Sequence, residues 1–376
     1  MKEQLVLGIM SGTSIDSVDY ALCSVRAGTV RLQSHWQVDF PRALQQRLHE
    51  AARGSLPSHE LAQVHHDLGR FYACHAVAKI ERLQPQLVGL HGQTIFHNPA
   101  PRQPATFQLG EPAYLVEKLR VPVVSNFRAA DLAAGGQAAP LATMFHQMAF
   151  GQRGLHVCVN NLGGISNVTS LDWRSGRQPE VLAFDTGPAG MLIDLAVRHF
   201  TKGTKQMDRN GAWAARGVAA EPWLKEWLRH SFFKRKPPKS TGREVFGEPF
   251  LQRALEQMRA SRLSQFDVLA TVTEFTARSL ALNYQLHLPS MPTQVILAGG
   301  GAANPVLVQA IENQLRALSP AIRVVTSDTL GWPAQAIEPA AFALLAWLRV
   351  NGRPGNLPQT TGASRAVLLG QISEPC

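Results

Sequence analysis

"LVLGIMSGTSIDSVDYALCSV", residues 5–25, decides the fold class. Its two ends are short apolar runs, and the middle is a cluster of glycine, hydroxyl and carboxylate side chains. That pattern predicts two strands, 4–9 and 18–25, joined by a polar loop. The loop Gly12-Thr13-Ser14-Ile15-Asp16-Ser17-Val18-Asp19 is not a P-loop: it lacks the Gly-Lys-Ser/Thr ending and returns into a strand. A tight hairpin of small residues presents backbone N–H groups and hydroxyls, the donors that a polyphosphate takes. Asp16 and Asp19 cannot meet phosphate directly and suit Mg²⁺ or its waters. An ordinary polar hairpin accounts for the same residues, so both readings stand.

Working outward, apolar runs alternate with helical patterns, which places the chain in the α/β class. A third strand is expected at 30–39, helices at 41–53 and 58–83 (Leu61, Val64, Leu68, Phe71 and Ala78 recur at helical spacing), and strands at 86–97 and 121–127. The strand–polar loop–strand unit restarts in "HVCVNNLGGISNVTSL" (156–171), with Gly163, Gly164 and Ser166 in its loop. This weak duplication predicts two halves of related architecture. The expected division is 1–135 for the first lobe and 136–350 for the second, with 351–376 packing back on the first. A third polar loop, "AGGGAANP" (298–305), follows an apolar run, and Gly299, Gly300 and Gly301 leave room for a flat ring or a backbone. Three such loops, each after a strand, read together as a nucleotide cradle shared by two lobes.

Two segments offer further chemistry. In "AFDTGPAG" (183–190), Asp185 ends a strand, where it suits either a general base or a cap on the following helix. "HGQTIFH" (91–97) groups His91, Gln93 and Thr94 at another strand end, a hydrogen-bonding set that suits a sugar. The adjacent His65 and His66 point to different faces of a helix and do not form a chelating pair.

The sequence holds 376 residues, 45% hydrophobic and 17% charged, a globular composition long enough for two domains. No apolar run approaches a membrane span, and the N-terminal run is too short for a signal-peptide core. Cys23, Cys74, Cys158 and Cys376 make no CxxC pair, which fits a reducing cytoplasm and no structural zinc. The formal charge is +10, densest in "RHSFFKRKPPKSTGR" (229–243). That stretch reads as a solvated loop or the lining of an anion site, and no nucleic-acid motif accompanies it.

The strings "GIMSGTSIDSVD", "GLHGQTIFH", "NLGGISNVT", "AFDTGPAGMLID", "PPKSTGRE", "TVTEFTARSL", "GGGAANPVL" and "NGRPGNLPQTTGA" occur in one order from residue 5 to about 372. In that order they resemble the anhydro-N-acetylmuramic acid kinases. The resemblance implies an actin/Hsp70/hexokinase-like (ribonuclease H-like) fold, two related α/β lobes with a central ATP cleft. It implies a cytoplasmic kinase: ATP and water convert 1,6-anhydro-N-acetylmuramic acid into N-acetylmuramic acid 6-phosphate during peptidoglycan recycling. Asp185 matches the family's catalytic aspartate, residues 12–19 its ATP loop with Mg²⁺, and Glu338 is implied near the substrate water. A homodimer is implied, and neither nucleic acid nor membrane. Basic residues should meet the substrate's lactyl carboxylate. The chain departs from the family pattern at Ser17 and Ala138, where glycine is usual, at Ala189-Gly190, and at Asn210, where aspartate is usual. A replaced glycine that needed positive φ would cost about 1 kcal/mol. The competing expectations are a kinase for another amino sugar with a free hydroxyl, and an ATP-binding regulator without catalysis.

Overall fold

Gly8 and Gly89 lie side by side on neighbouring parallel strands, and neither position has room for a side chain. A Cβ on Gly8 would lie 1.7 Å from the Pro339 carbonyl oxygen, and one on Gly89 2.2 Å from that of Phe342. Mid-strand glycine marks close backbone approach. Here the pair forms a trough that seats the buried helix Ala334–Val350 directly on the sheet. In the computed structural model, residues 3–77, 80, 83–100, 102–176 and 178–376 are described.

The chain divides into two units, Met1–Phe150 with Gly331–Cys376, and Gly151–Leu330. The first carries a seven-stranded sheet of β1 (Gln4–Ser11), β2 (Ser17–Arg26), β3 (Thr29–Asp39), β4 (Leu87–Asn98), β5 (Ala105–Leu109), β6 (Val123–Ser125) and β12 (Gln371–Ser373). The second carries a five-stranded sheet of β7 (His156–Leu162), β8 (Ile165–Asp172), β9 (Glu180–Pro188), β10 (Gln294–Ala298) and β11 (Arg323–Thr326). In the first, β1, β2 and β3 form an antiparallel meander, and β4 and β6 then add in parallel beside β1. In the second, β7, β8 and β9 form the meander, and β10 and β11 add in parallel beside β7. The two sheets therefore share one topology, and the mixed α/β, two-sheet architecture is the one expected.

The units exchange residues with the expected lobes. The first takes in 136–150 and 331–350, which the sequence reading assigned to the second lobe. The reason is the glycine trough: the helix Ala334–Val350 has its seat on β1, β2 and β4. At the C-terminus, β12 pairs with β6 in the first sheet. The helix expected over 58–83 is Ser58–Ala76, and Ala78 lies outside the described residues. Before the long helix of the second unit the chain forms short helical pieces, including Glu221–Trp227 and Ser231–Lys234.

Each unit has its own core. In the first, Leu7, Ile9, Tyr20, Tyr72 and Val88 pack together, and Tyr20 stacks on Trp36. In the second, the 23-residue helix Gln265–His287 is the central element, started by a capping box between Ser264 and Asp267. It packs among Trp227, Phe232, Phe233, Phe246 and Phe250.

Candidate functional site

In the first unit, the loop after β1 is held by groups outside it. Gln93, fully buried on β4, donates from Nε2 to the Gly12 carbonyl at 3.1 Å, and its Oε1 is buried without a partner. Gln45 Nε2 donates to the Ile15 carbonyl at 2.9 Å, and Ile15 N–H closes back on Gly12 O. Ile15 takes φ +60°, strained for a β-branched residue, and its side chain is buried in the core. Strain of this kind persists only where the surroundings over-determine it. The result leaves Thr13 and Ser14 exposed, and among the described residues no acceptor meets their N–H groups. A Cβ on Gly12 would meet nothing closer than Ser14 Oγ at 3.9 Å. The fold itself thus makes no steric demand for glycine there.

Ser17 lies outside that donor set. It avoids positive φ, and its hydroxyl accepts from Gln37 Nε2 at 2.8 Å, beside Asp19 at 2.9 Å. The position never needed glycine. Asp16 is exposed, whereas Asp19 is half-buried and pushed up to about 7, first by burial, with Glu338 adding to it. Among the described residues no cluster of three His, Cys, Asp or Glu could hold a metal. The donor set fits a Mg²⁺ carried in on phosphate and completed by one or two carboxylates, not a closed protein cage.

The remaining expected residues of this unit surround an arginine that the sequence reading missed. Arg128 donates from Nε to His91 Nε2 at 3.1 Å and from Nη1 to the Ala138 carbonyl at 2.5 Å. His91 in turn places Nδ1 2.8 Å from the Gly92 carbonyl, so the ring is the Nδ1–H tautomer. Burial, then Arg128, holds His91 well below its usual range, and it is neutral. With both nitrogens engaged, His91 props Arg128 and has none left for a sugar. Thr94 Oγ1 accepts from Gln108 Nε2 at 3.3 Å. Glu338 is exposed at the start of the seated helix; the surrounding protein raises its carboxyl and Arg128 opposes the shift. Burial lowers Arg128 to about 10, which leaves it charged near neutral pH. The one signal for Arg128 was its place just past an apolar strand, the usual end for ligand contacts in open α/β sheets.

Ala138 is the departure that matters locally. Its φ is +54°, whereas Ser17 and Ala189 avoid the left-handed region. Asn210 also takes positive φ (+57°), which asparagine tolerates.

In the second unit, the turn Gly163-Gly164 is fixed by backbone. Ala189 N–H and Met191 N–H donate to Gly164 O at 3.0 and 3.3 Å, and Gly190 N–H donates to Gly163 O at 2.9 Å. The first N–H groups of the helix Gly190–Phe200 are thereby used, and no side chain caps it. Asp185 is therefore not its cap. Among the described residues the Gly163 and Gly164 N–H groups meet no acceptor. A Cβ on either would make only ordinary contacts, 3.6 Å to Ile165 O and 3.4 Å to Met191 Cβ. Ser166, expected among the loop donors, is instead fully buried, bonded to Asn160 and Thr186. Of the triple glycine only Gly300 is open. A Cβ on Gly299 would lie 2.3 Å from Asn161 Oδ1, and one on Gly301 2.8 Å from Leu162 Cβ. Those two glycines serve packing on the end of β7.

Asp185 lies on β9. Its Oδ2 accepts from Thr241 N–H at 2.8 Å, and among the described residues Oδ1 meets no donor. Burial pushes its carboxyl up to about 6; the Thr241 bond opposes this, Glu244 adds to it and Lys239 opposes it. The basic stretch that supplies Thr241 is not uniformly solvated: Arg229, Lys234, Arg235, Lys236 and Arg243 are exposed, but Lys239 is buried.

Known proteins resemble this chain over nearly its full length. The family model described as Anhydro-N-acetylmuramic acid kinase matches residues 4–375. A protein of that name from Acaryochloris marina is 40% identical over 98% of this chain and 99% of its own. Another from Crocosphaera subtropica is 40% identical over 98% of each chain. Among solved structures, the activator of 2-hydroxyisocaproyl-CoA dehydratase from Clostridium difficile superposes with a TM-score of 0.45 at 12% identity, covering 93% of this chain and 96% of its own. A ROK family glucokinase from Streptomyces griseus gives 0.40 at 15% identity, covering 90% and 98%. The chain belongs to the anhydro-N-acetylmuramic acid kinase family.

Proposed function

We propose that this protein opens 1,6-anhydro-N-acetylmuramic acid with water and phosphorylates the freed O6 from ATP, giving N-acetylmuramic acid 6-phosphate and ADP. The bridging O6 is an ether oxygen without a proton, so a base cannot activate it directly. Water must instead attack C1: the C1–O6 bond breaks, O6 takes the γ-phosphoryl group, and the proton leaves the attacking water. The observation that carries this reading is Asp185, with one carboxylate oxygen fixed by Thr241 N–H and the other meeting no donor among the described residues. A base with a pKa of about 6 is mostly ionised above neutral pH and still basic enough to take a proton.

The other assignments rest on the donors described above. Gly12 to Ser14 in one unit, and Gly163, Gly164 and Gly300 in the other, are the backbone positions proposed for ATP. Mg²⁺, when bound, neutralises phosphate charge, and Asp16 and Asp19 are the nearby carboxylates that would hold it. Arg128 is proposed for the substrate carboxylate, with His91 and Gln93 as its support and the support of the ATP loop. Glu338 is proposed to assist at the substrate water. A homodimer acting in the cytoplasm completes the reading; among the described residues no helix is long and apolar enough to cross a membrane.

The test is Asp185→Asn. Turnover should fall about 1000-fold while Mg-ATP binding is kept. Because the native carboxyl is raised, its contribution to stability is present below about pH 4 and lost as pH rises through about 6. The neutral amide should therefore leave the melting temperature unchanged or higher near pH 8. In the wild type, kcat should fall as pH drops through about 6. A variant that folds and keeps full turnover would exclude Asp185 as the base.

A further inference from the structure

We infer that Lys239 is a positioning residue for Asp185, locking the strand and the loop that aim its carboxylate. This inference rests on Asp185 being the base.

Lys239 is 8% exposed, unusual for a lysine. Its Nζ reaches Asn283 Oδ1 at 2.5 Å, His287 Nε2 at 3.0 Å, and the Phe232 and Phe233 carbonyls at 3.3 Å each. No carboxylate is among these partners, so the ammonium is held by neutral acceptors alone. Its backbone meets Asp185 from the other direction: Lys239 O accepts from Asp185 N–H at 3.1 Å. Two residues later, Thr241 N–H donates to Asp185 Oδ2.

Asn283 closes the arrangement. While its Oδ1 takes the Lys239 ammonium, its Nδ2 donates to the Thr186 carbonyl at 2.8 Å and to Ser279 O at 2.7 Å. Thr186 follows Asp185 on β9, and its hydroxyl bonds Ser166 Oγ at 2.7 Å. The strand carrying Asp185 and the loop contacting its carboxylate are thus tied to the same side chain of the long helix. Burial pushes the Lys239 ammonium down to about 8, and a fully satisfied buried network of this kind fixes one geometry. The polar face of Gln265–His287 and the buried lysine of the basic stretch acquire a common purpose.

The arrangement also sets charge. The charged groups acting on Asp185 are Lys239, which favours its ionised form, and Glu244, which opposes it. Lys239 in turn faces Asp185 and Arg235, with His287 touching its ammonium. His287 Nε2 also lies 2.8 Å from Phe233 O, so that nitrogen either accepts from Lys239 or donates to Phe233, and burial holds its ring below the usual range. A neutral ring beside the ammonium keeps Lys239 the local positive charge.

The experiment compares Lys239→Met, Lys239→Gln and Lys239→Arg with wild type. Melting temperature, and kcat and KM for Mg-ATP and the anhydro sugar, are measured from pH 5 to 9. Lys239→Met should lower kcat about 10- to 100-fold, change both KM values less than about threefold, and move the acid limb of kcat upward by less than about one pH unit, since Lys239 is the weakest of the influences on Asp185. Lys239→Gln, which keeps a donor without charge, should move the limb equally and lose less kcat. Lys239→Arg should keep the limb near its wild-type place. If Lys239→Met does not fold, the Gln and Arg pair decides the matter by the position of the limb. A folded Met or Gln variant with wild-type kcat and an unmoved acid limb overturns the inference. Asp185→Asn, run in parallel, separates the two claims: if it stays active, the base assignment fails, and if it is inactive while the folded Lys239 variants keep wild-type kcat and an unmoved limb, only Lys239's role fails.

Discussion

The β1–β2 loop of the first unit and the β7–β8 turn of the second occupy the same place in the same sheet topology, yet they are held in different ways. The first is long, carries a strained Ile15, and is pinned by two side chains, Gln45 and Gln93, from elsewhere in its unit. The second is Gly163-Gly164 alone, pinned by three backbone N–H groups at the start of one helix. Both end with N–H groups that no protein acceptor meets among the described residues. The difference teaches that a donor-lined turn can be stiffened through side chains or through backbone. Only the first design is open to deletion by point mutation.

The comparison can be broken most forcefully beneath the first loop. Gly8→Ala places a methyl against the Pro339 carbonyl, and neither backbone can yield without unseating the helix. We expect a loss of about 3 kcal/mol or more, a fall in melting temperature of about 10 °C or complete failure to fold. A Gly8→Ala protein that melts like wild type would refute the glycine trough.

The next effect separates the two turns. Gln93→Ala removes the side chain that pins Gly12, at about 1 kcal/mol in stability, and KM for Mg-ATP should rise about tenfold. Gly163→Ala adds a methyl that the protein itself accommodates, so stability should stay within about 0.5 kcal/mol while KM for Mg-ATP rises severalfold. Steady-state kinetics with thermal melts tests both. Equal loss of stability in the two variants would erase the distinction.

The smallest effect is expected at Ala138→Gly. Glycine relieves about 1 kcal/mol of left-handed strain, but it loosens the unfolded chain and gives up a fully buried methyl, each worth under about 1 kcal/mol. These terms cancel, and the melting temperature should move by less than about 2 °C. The near-balance explains how alanine persists at a position with positive φ. A gain of 5 °C or more would show that strain dominates.

Local pattern made the strands, the polar loops and the duplicated unit legible, because strand and turn signals lie within a few residues of each other. What it hid were pairings at long range. Nothing near Gly8 announces Pro339, and so the helix Ala334–Val350 was assigned to the wrong unit. Lys239 looked like one more charge in a basic run, since its acceptors on Asn283 and His287 come from a helix more than forty residues on. Gly299 and Gly301 carried the right residue for another reason: they make room for the end of β7. His91 was noticed, but its partner Arg128 was not, because their contact joins the interior of β4 to the segment just past β6, 37 positions away.

The central claim is that water, activated by Asp185, attacks the anomeric carbon while O6 receives the phosphoryl group. Turnover of 1,6-anhydro-N-acetylmuramic acid with Mg-ATP in oxygen-18 water tests it most directly, with the product read by mass spectrometry and carbon NMR before anomeric exchange. The account predicts one label at C1 and none in the phosphate. Label in the phosphate, or an unlabelled product, would contradict it.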